Sequence, residues 1–163
     1  MSSLHALSVL LVDDNPPMRT IASAILQSAG IRKIREVGDG AAALEALREA
    51  PVDIAIVDFN MFPLDGVEFT RLVRNSPDSA NPYLPIIMMT GHSEKNRVME
   101  ARDAGVTEFV TKPITAKALF DRIQAVIVRP RAFVKTDDYF GPDRRRANAV
   151  GYAGPFRRIT DGK

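Results

Sequence analysis

As far as residue 128, short runs of β-branched and aliphatic residues alternate with segments whose apolar residues recur at helical spacing. A parallel sheet satisfies that alternation, because parallel neighbours need a long crossover and a helix is the usual one. The runs at residues 8–12, 32–37, 53–57, 85–90 and 107–110 predict five strands. The segments at 17–29, 40–48, 66–75, 94–104 and 115–128 predict the helices between and after them. Gly30 and Gly105 stand just past two of these segments, where a left-handed residue closes a helix, and Pro17 suits a first helical turn. In the last segment Leu119, Phe120, Ile123, Val126 and Ile127 fall on one side, which predicts a face that packs on the sheet. The fold class is α/β, a doubly wound parallel sheet of five strands.

A chain of 163 residues, 45% of them hydrophobic, has room for one ordinary domain with a real core and an appendage. The absence of cysteine excludes disulfides and thiolate metal sites and fits a reducing compartment, so the cytoplasm is the expected location. Residues 1–12 lack a basic start and run into two acids, unlike a signal peptide, and no apolar run approaches the length of a membrane span. The net charge of +2 hides a division at Val128: residues 129–163 hold seven Arg, two Lys and four Asp, or +5, which leaves −3 for residues 1–128. An acidic domain, 1–128, carries a basic tail, 129–163, too short for a usual output domain.

In a doubly wound sheet, ligands bind beyond the carboxyl ends of the strands. The residues expected there are Asp13 and Asp14 after the first strand, Asp58 after the third, Thr90 at the end of the fourth and Lys112 after the fifth. Carboxylates gathered on one rim repel one another unless a cation joins them, and magnesium asks for hard oxygen ligands while keeping several waters. A carboxylate can also act as a nucleophile toward phosphorus, with Asp58 the best placed candidate. The Lys112 ammonium would face the phosphoryl oxygens, and the Thr90 hydroxyl could donate to them. Taken singly, Asp13-Asp14 reads as a solvated turn in which Asn15 or Asp14 caps a helix, and Phe109 reads as core. The joint placement is what points to chemistry.

Four segments carry a family resemblance: Leu11-Val12-Asp13-Asp14; Val57-Asp58-Phe59-Asn60-Met61 with Leu64-Asp65-Gly66; Met89-Thr90-Gly91; and Phe109-Val110-Thr111-Lys112-Pro113. In that order and spacing they resemble the CheY-like receiver domains of bacterial response regulators, over about residues 7–128. The resemblance implies a flavodoxin-like strand order 2-1-3-4-5 and a phosphoacceptor at Asp58, served by a histidine kinase or phosphotransfer protein. It implies Mg2+ held by Asp14, Asp58 and the backbone carbonyl of Asn60, with Asp13 acting through water. It also implies a switch pair of Thr90 and Phe109, a phosphoryl contact from Lys112, and a cis peptide before Pro113. One departure stands out: Phe62 intervenes between Met61 and Pro63, where the family usually has proline directly, which predicts an altered loop and an exposed aromatic. His92, two residues past Thr90, and His5 read as surface residues.

Beyond Val128, prolines and glycines replace the helical period, and a unit repeats. Tyr139-Phe140-Gly141-Pro142-Asp143-Arg144-Arg145 returns thirteen residues later as Tyr152-Ala153-Gly154-Pro155-Phe156-Arg157-Arg158. Tyr139, Arg144, Arg145, Tyr152, Arg157 and Arg158 are therefore candidate docking residues, an aromatic anchor with paired guanidiniums suiting a protein surface, either the chain's own receiver or a second copy. The leading expectation is a signalling switch that is not an enzyme beyond its own phosphorylation and dephosphorylation, with an unknown downstream protein as its output. A regulator binding nucleic acid through the tail is the alternative, although five net charges without a fold give weak, salt-sensitive attachment. A phosphatase with an aspartyl nucleophile would want a second acid two residues on, where Asn60 stands.

Overall fold

Three strands, β1 (Ser8–Val12), β3 (Ile54–Asp58) and β4 (Ile86–Thr90), are buried almost throughout, as the central strands of a parallel sheet must be when helices cover both faces. In the computed structural model, which describes residues 2–144, they are flanked by edge strands β2 (Lys33–Val37) and β5 (Glu108–Thr111) in the order β2-β1-β3-β4-β5, all parallel. Successive strand residues face opposite sides. Val9, Leu11, Ile54, Ile56, Ile87 and Met89 pack with Ala22 and Leu26 of α2 (Pro16–Ser28) and with Leu119, Ile123 and Val126 of α6 (Ala116–Val128). Leu10, Val12, Ala55, Val57, Ile86 and Met88 pack on the other side with α3 (Gly40–Glu49), α4 (Gly66–Asn75) and α5 (Val98–Ala104). A short helix α1 (Ser2–His5), too brief to leave a sequence period, precedes β1, and among the described residues no helix is long and apolar enough to cross a membrane.

Local chemistry places the helix ends. Asn15 caps α2 by accepting from the Met18 N–H, with Pro16 and Pro17 in the first turn, and Asp65 and Glu68 form a reciprocal capping box on α4. Gly30 and Gly105 have φ of +94° and +113°, the left-handed conformation expected of them. Three expectations need correction. The segment at 94–104 splits into a 3-10 turn, His92–Arg97, and then α5, because the Glu94 carboxylate accepts from the Gly91 N–H and from the Ser93 hydroxyl and tightens the first turn. The buried stripe of α6 is Leu119, Ile123 and Val126, while Ile127 is exposed and Phe120 half-buried, since each lies one residue round from the seam. Strands three and five each end one residue later than expected, so that Asp58 is the last residue of β3.

After α6 ends at Val128, residues Phe133–Lys135 (β6) and Phe140–Pro142 (β7) form an antiparallel hairpin seated on the loops that lead into β4 and β5. Phe133 and Phe140 meet Tyr83 edge-on, with ring centroids 5.1 and 5.5 Å away. Beneath them lies Arg74, the penultimate residue of α4, whose guanidinium donates to the Gly105 carbonyl at 3.0 and 2.8 Å and to the Pro82 carbonyl at 2.9 Å and stacks 5.0 Å from the Phe133 ring. Burial lowers its pKa to about 10. The Tyr139 ring is buried, and its hydroxyl donates to the Pro142 carbonyl at 2.7 Å. A Cβ on Gly141 would sit 2.5 Å from that hydroxyl oxygen and 3.1 Å from the Gly105 Cα, so close approach fixes glycine there. Arg144 stacks 4.0 Å from the Tyr139 ring and pairs with Asp103 at 2.7 Å. Of the candidate docking residues, Arg145, Tyr152, Arg157 and Arg158 lie outside the described residues.

Candidate acidic site at the strand carboxyl ends

The sheet delivers its polar residues to one rim. Asp13 follows β1 directly, Asp58 and Thr90 close β3 and β4, and Lys112 follows β5, its N–H donating to the Thr90 carbonyl at 2.8 Å. Carboxylate oxygens of Asp13, Asp14 and Asp58 lie within 4.8 Å of one another, with Asp13 and Asp58 buried and Asp14 exposed. Lys112 Nζ stands 2.5 Å from Asp58 Oδ1. Burial raises the Asp58 pKa to about 6; Lys112 opposes the shift, and the Asp13 charge adds to it. Burial likewise raises Asp13, against the Asn15 N–H that donates to its Oδ1.

Asp13 Oδ2 is buried with no hydrogen-bond partner among the described residues. A solvent-excluded, unpartnered oxygen on one of three clustered carboxylates suits a hard divalent cation, and magnesium fits the set better than a softer metal, since among the described residues no histidine or cysteine joins the cluster.

Gly66 allows the loop after Asp58 to close: its N–H donates to the Phe59 carbonyl at 2.9 Å, and a Cβ there would lie 2.7 Å from the Asp58 carbonyl oxygen. Asn60 is exposed on this loop, and Phe62 is 83% exposed. The Lys112–Pro113 peptide is cis, and so is Phe62–Pro63. Phe109 is half-buried in β5 beside Met88. His92 and His5 are both exposed, the His5 ring lying beside Gly30.

Two residues at the site escaped the sequence reading. Arg19 reaches back from α2 to donate to the Asp13 carbonyl at 2.6 Å while pairing with Glu36 at 3.4 Å, a contact six residues apart that no helical spacing announces. Glu94 had a signal that went unread, because a Gly91-x-x-Glu94 spacing has the form of a helix start. Tyr139 and Arg144 belong to the hairpin at the other end of the sheet, away from the acids.

Residues 9–124 match the family described as response regulator receiver domain. The chemotaxis protein CheY of Pseudomonas aeruginosa is 33% identical over 123 residues, covering 76% of this chain and 98% of that protein. CheY-3 of Vibrio cholerae is 30% identical over 76% of this chain and 93% of its own. Among solved structures, Vibrio cholerae chemotaxis protein CheY4 superposes with a TM-score of 0.67 at 33% identity, covering 74% of this chain and 99% of that one. The receiver domain of the Pseudomonas aeruginosa sensor histidine kinase PA1611, solved with magnesium coordinated in its active-site cleft, gives 0.67 at 29% identity, with 75% and 98% covered.

Proposed function

Given that the chain belongs to the response regulator receiver domain family, we propose that it is a phosphorelay switch in which Asp58 accepts a phosphoryl group from a histidine kinase or phosphotransfer protein and thereby changes which protein it binds. The observation that carries this reading is the convergence on one rim of three carboxylates, two of them buried, with an ammonium 2.5 Å from Asp58. An ionised Asp58 oxygen attacks phosphorus in line; the bond from phosphorus to the donor nitrogen breaks, and an acyl phosphate forms while the imidazole leaves as a neutral group after taking up a proton. Lys112, already against Asp58, offsets charge on the phosphoryl oxygens, and Thr90 donates its hydroxyl to them. Asp13, Asp14, Asp58 and the Asn60 carbonyl would hold Mg2+, which when bound supplies the charge that lets these acids ionise together. Movement of Thr90 toward the phosphoryl group, with Phe109 turning into the space left, would carry the change to the face formed by α5, β5 and α6.

On this reading the chain turns over no substrate beyond its own acyl phosphate and works in the cytoplasm. Nucleic acid is the weaker reading, because two tail arginines are engaged with receiver acids, Arg131 with Glu108 at 3.3 Å and Arg144 with Asp103 at 2.7 Å. The test is incubation with a small phosphoramidate and magnesium, followed by intact mass. One phosphoryl group is expected on the native chain and none on Asp58→Asn, and full labelling of that variant overturns the assignment.

A further inference from the structure

Residues 129–144 lie beyond the matched receiver region and fold back along it as a strap. The strap springs from the end of α6, where the Arg129 N–H donates to the Ala125 carbonyl at 3.0 Å. It closes on itself through the hairpin and through the Asp143 N–H, which donates to the Ala132 carbonyl at 2.7 Å. Its ties to the receiver fall on three elements. Arg131, on the arm that leaves α6, pairs with Glu108, the first residue of β5, at 3.3 Å. On the returning arm Arg144 pairs with Asp103 of α5, and Arg102 of the same helix donates to the Arg144 carbonyl at 3.2 Å. Between the two arms, Phe133 stacks on buried Arg74 of α4, whose guanidinium grips the Gly105 carbonyl between α5 and β5. Two of these three elements, α5 and β5, carry the change that Thr90 and Phe109 pass on, and Glu108 immediately precedes Phe109.

We propose that this strap is a brake on the switch: it holds α5 and β5 where they stand and so sets how readily Asp58 takes up a phosphoryl group, with the Arg144–Asp103 pair as its latch. The proposal deepens the phosphorelay reading and rests on it. The ties are made in the arrangement in which Lys112 meets the Asp58 carboxylate itself. An arrangement with α5 or β5 displaced stretches or loses them. A tie made in one of two arrangements shifts their balance by its own contribution, and a reaction that proceeds through the other arrangement follows the fraction present. The latch is the part built to open. The Asp103 side chain is 55% exposed and that of Arg144 25%, whereas Arg74 and Tyr139 are buried. A cleft of about 170 Å³, lined by Arg102, Arg122, Arg131 and Arg144 among others, lies open beside the ties, so the returning arm is held there by polar contacts and leaves α5 room to shift. Phe133 and Phe140 keep the hairpin seated on Tyr83 meanwhile, so opening the latch frees α5 without unfolding the strap.

The test uses the full chain and two readouts: the rate at which a small phosphoramidate labels Asp58 at saturating magnesium, and amide hydrogen exchange across Val98–Ala104. Arg144→Gln and Asp103→Asn are each expected to label about threefold faster than the native chain, the factor that loss of a partly exposed ion pair brings. Exchange of α5 is expected to quicken by a similar factor, and magnesium affinity, which reads the acidic site, to stay unchanged. Because the two side chains act as one pair, the double variant is expected to gain no more than either single one. Arg144→Lys keeps the charge and is expected to label as the native chain does. Native labelling rates in both single variants, gains that multiply in the double variant, or faster labelling with α5 exchange unaltered each overturn the brake while leaving Asp58 as the acceptor. Failure of the native chain to label at all sinks the phosphorelay reading, and the brake with it.

Discussion

Replacing Asp58 with asparagine in metal-free protein isolates the cost of keeping an acid in a buried acidic cluster. Asparagine has the shape of the protonated carboxyl, so the variant resembles native protein with Asp58 permanently neutral. Burial moves that carboxyl from its ordinary 3.8 to about 6, which bounds the penalty for ionising it in the folded state at about 3 kcal/mol. Water reaching the rim past exposed Asp14 and partly exposed Lys112 screens some of this, leaving about 1–2 kcal/mol. The sign follows from the direction of the shift. Below 3.8 the group is neutral in folded and unfolded chains alike and costs nothing; between 3.8 and about 6 the unfolded chain ionises first, so stability falls as pH rises; above about 6 the full penalty is present. Asp58→Asn should therefore be more stable than the native chain by about 1–2 kcal/mol at neutral pH and nearly equal to it near pH 4. Urea unfolding with a chelator, at several pH values, measures the difference. Magnesium should narrow it by stabilising the native chain alone. A variant less stable at neutral pH, or a gain that does not change with pH, refutes the reasoning.

Asp14→Ala should weaken magnesium binding about tenfold or more in a direct titration, since few protein ligands are present and one charge is lost. Gly66→Ala should destabilise the domain and slow labelling of Asp58, because the new methyl must displace the Asp58 carbonyl 2.7 Å away, and a variant that melts and labels normally would show the loop to be pliable. Tyr139→Ala should cost about 3 kcal/mol in thermal unfolding, against about 1 kcal/mol for Arg144→Ala. Equal effects would mean that the hairpin is held by charge and not by its buried ring.

Period alone announced the doubly wound parallel sheet, and the four motifs on its rim carried the resemblance to receivers: apolar runs of strand length separated by helical segments admit few folds, and a parallel sheet brings the carboxyl ends of its strands together whatever else the chain does. Asp13, Asp58, Thr90 and Lys112 could be placed on one rim for that reason, because each follows or ends a strand and its position depends on chain order. Magnitudes and partners needed three dimensions. That Asp58 is buried enough to hold its proton to about pH 6, or that Arg19 grips the Asp13 carbonyl, depends on what surrounds each atom and leaves no trace in spacing. The tail shows the same limit. Its repeat was visible, but two three-residue strands have no period to read, and the groups that order them, Arg74, Tyr83 and Gly105, come from a helix and two loops of the receiver distant in sequence. Local propensity and periodicity are properties of neighbouring residues, so the sequence carried them openly; the seat of the hairpin and the arginine cleft beside it arise from contacts between remote segments, and only the folded chain decides which of those are made.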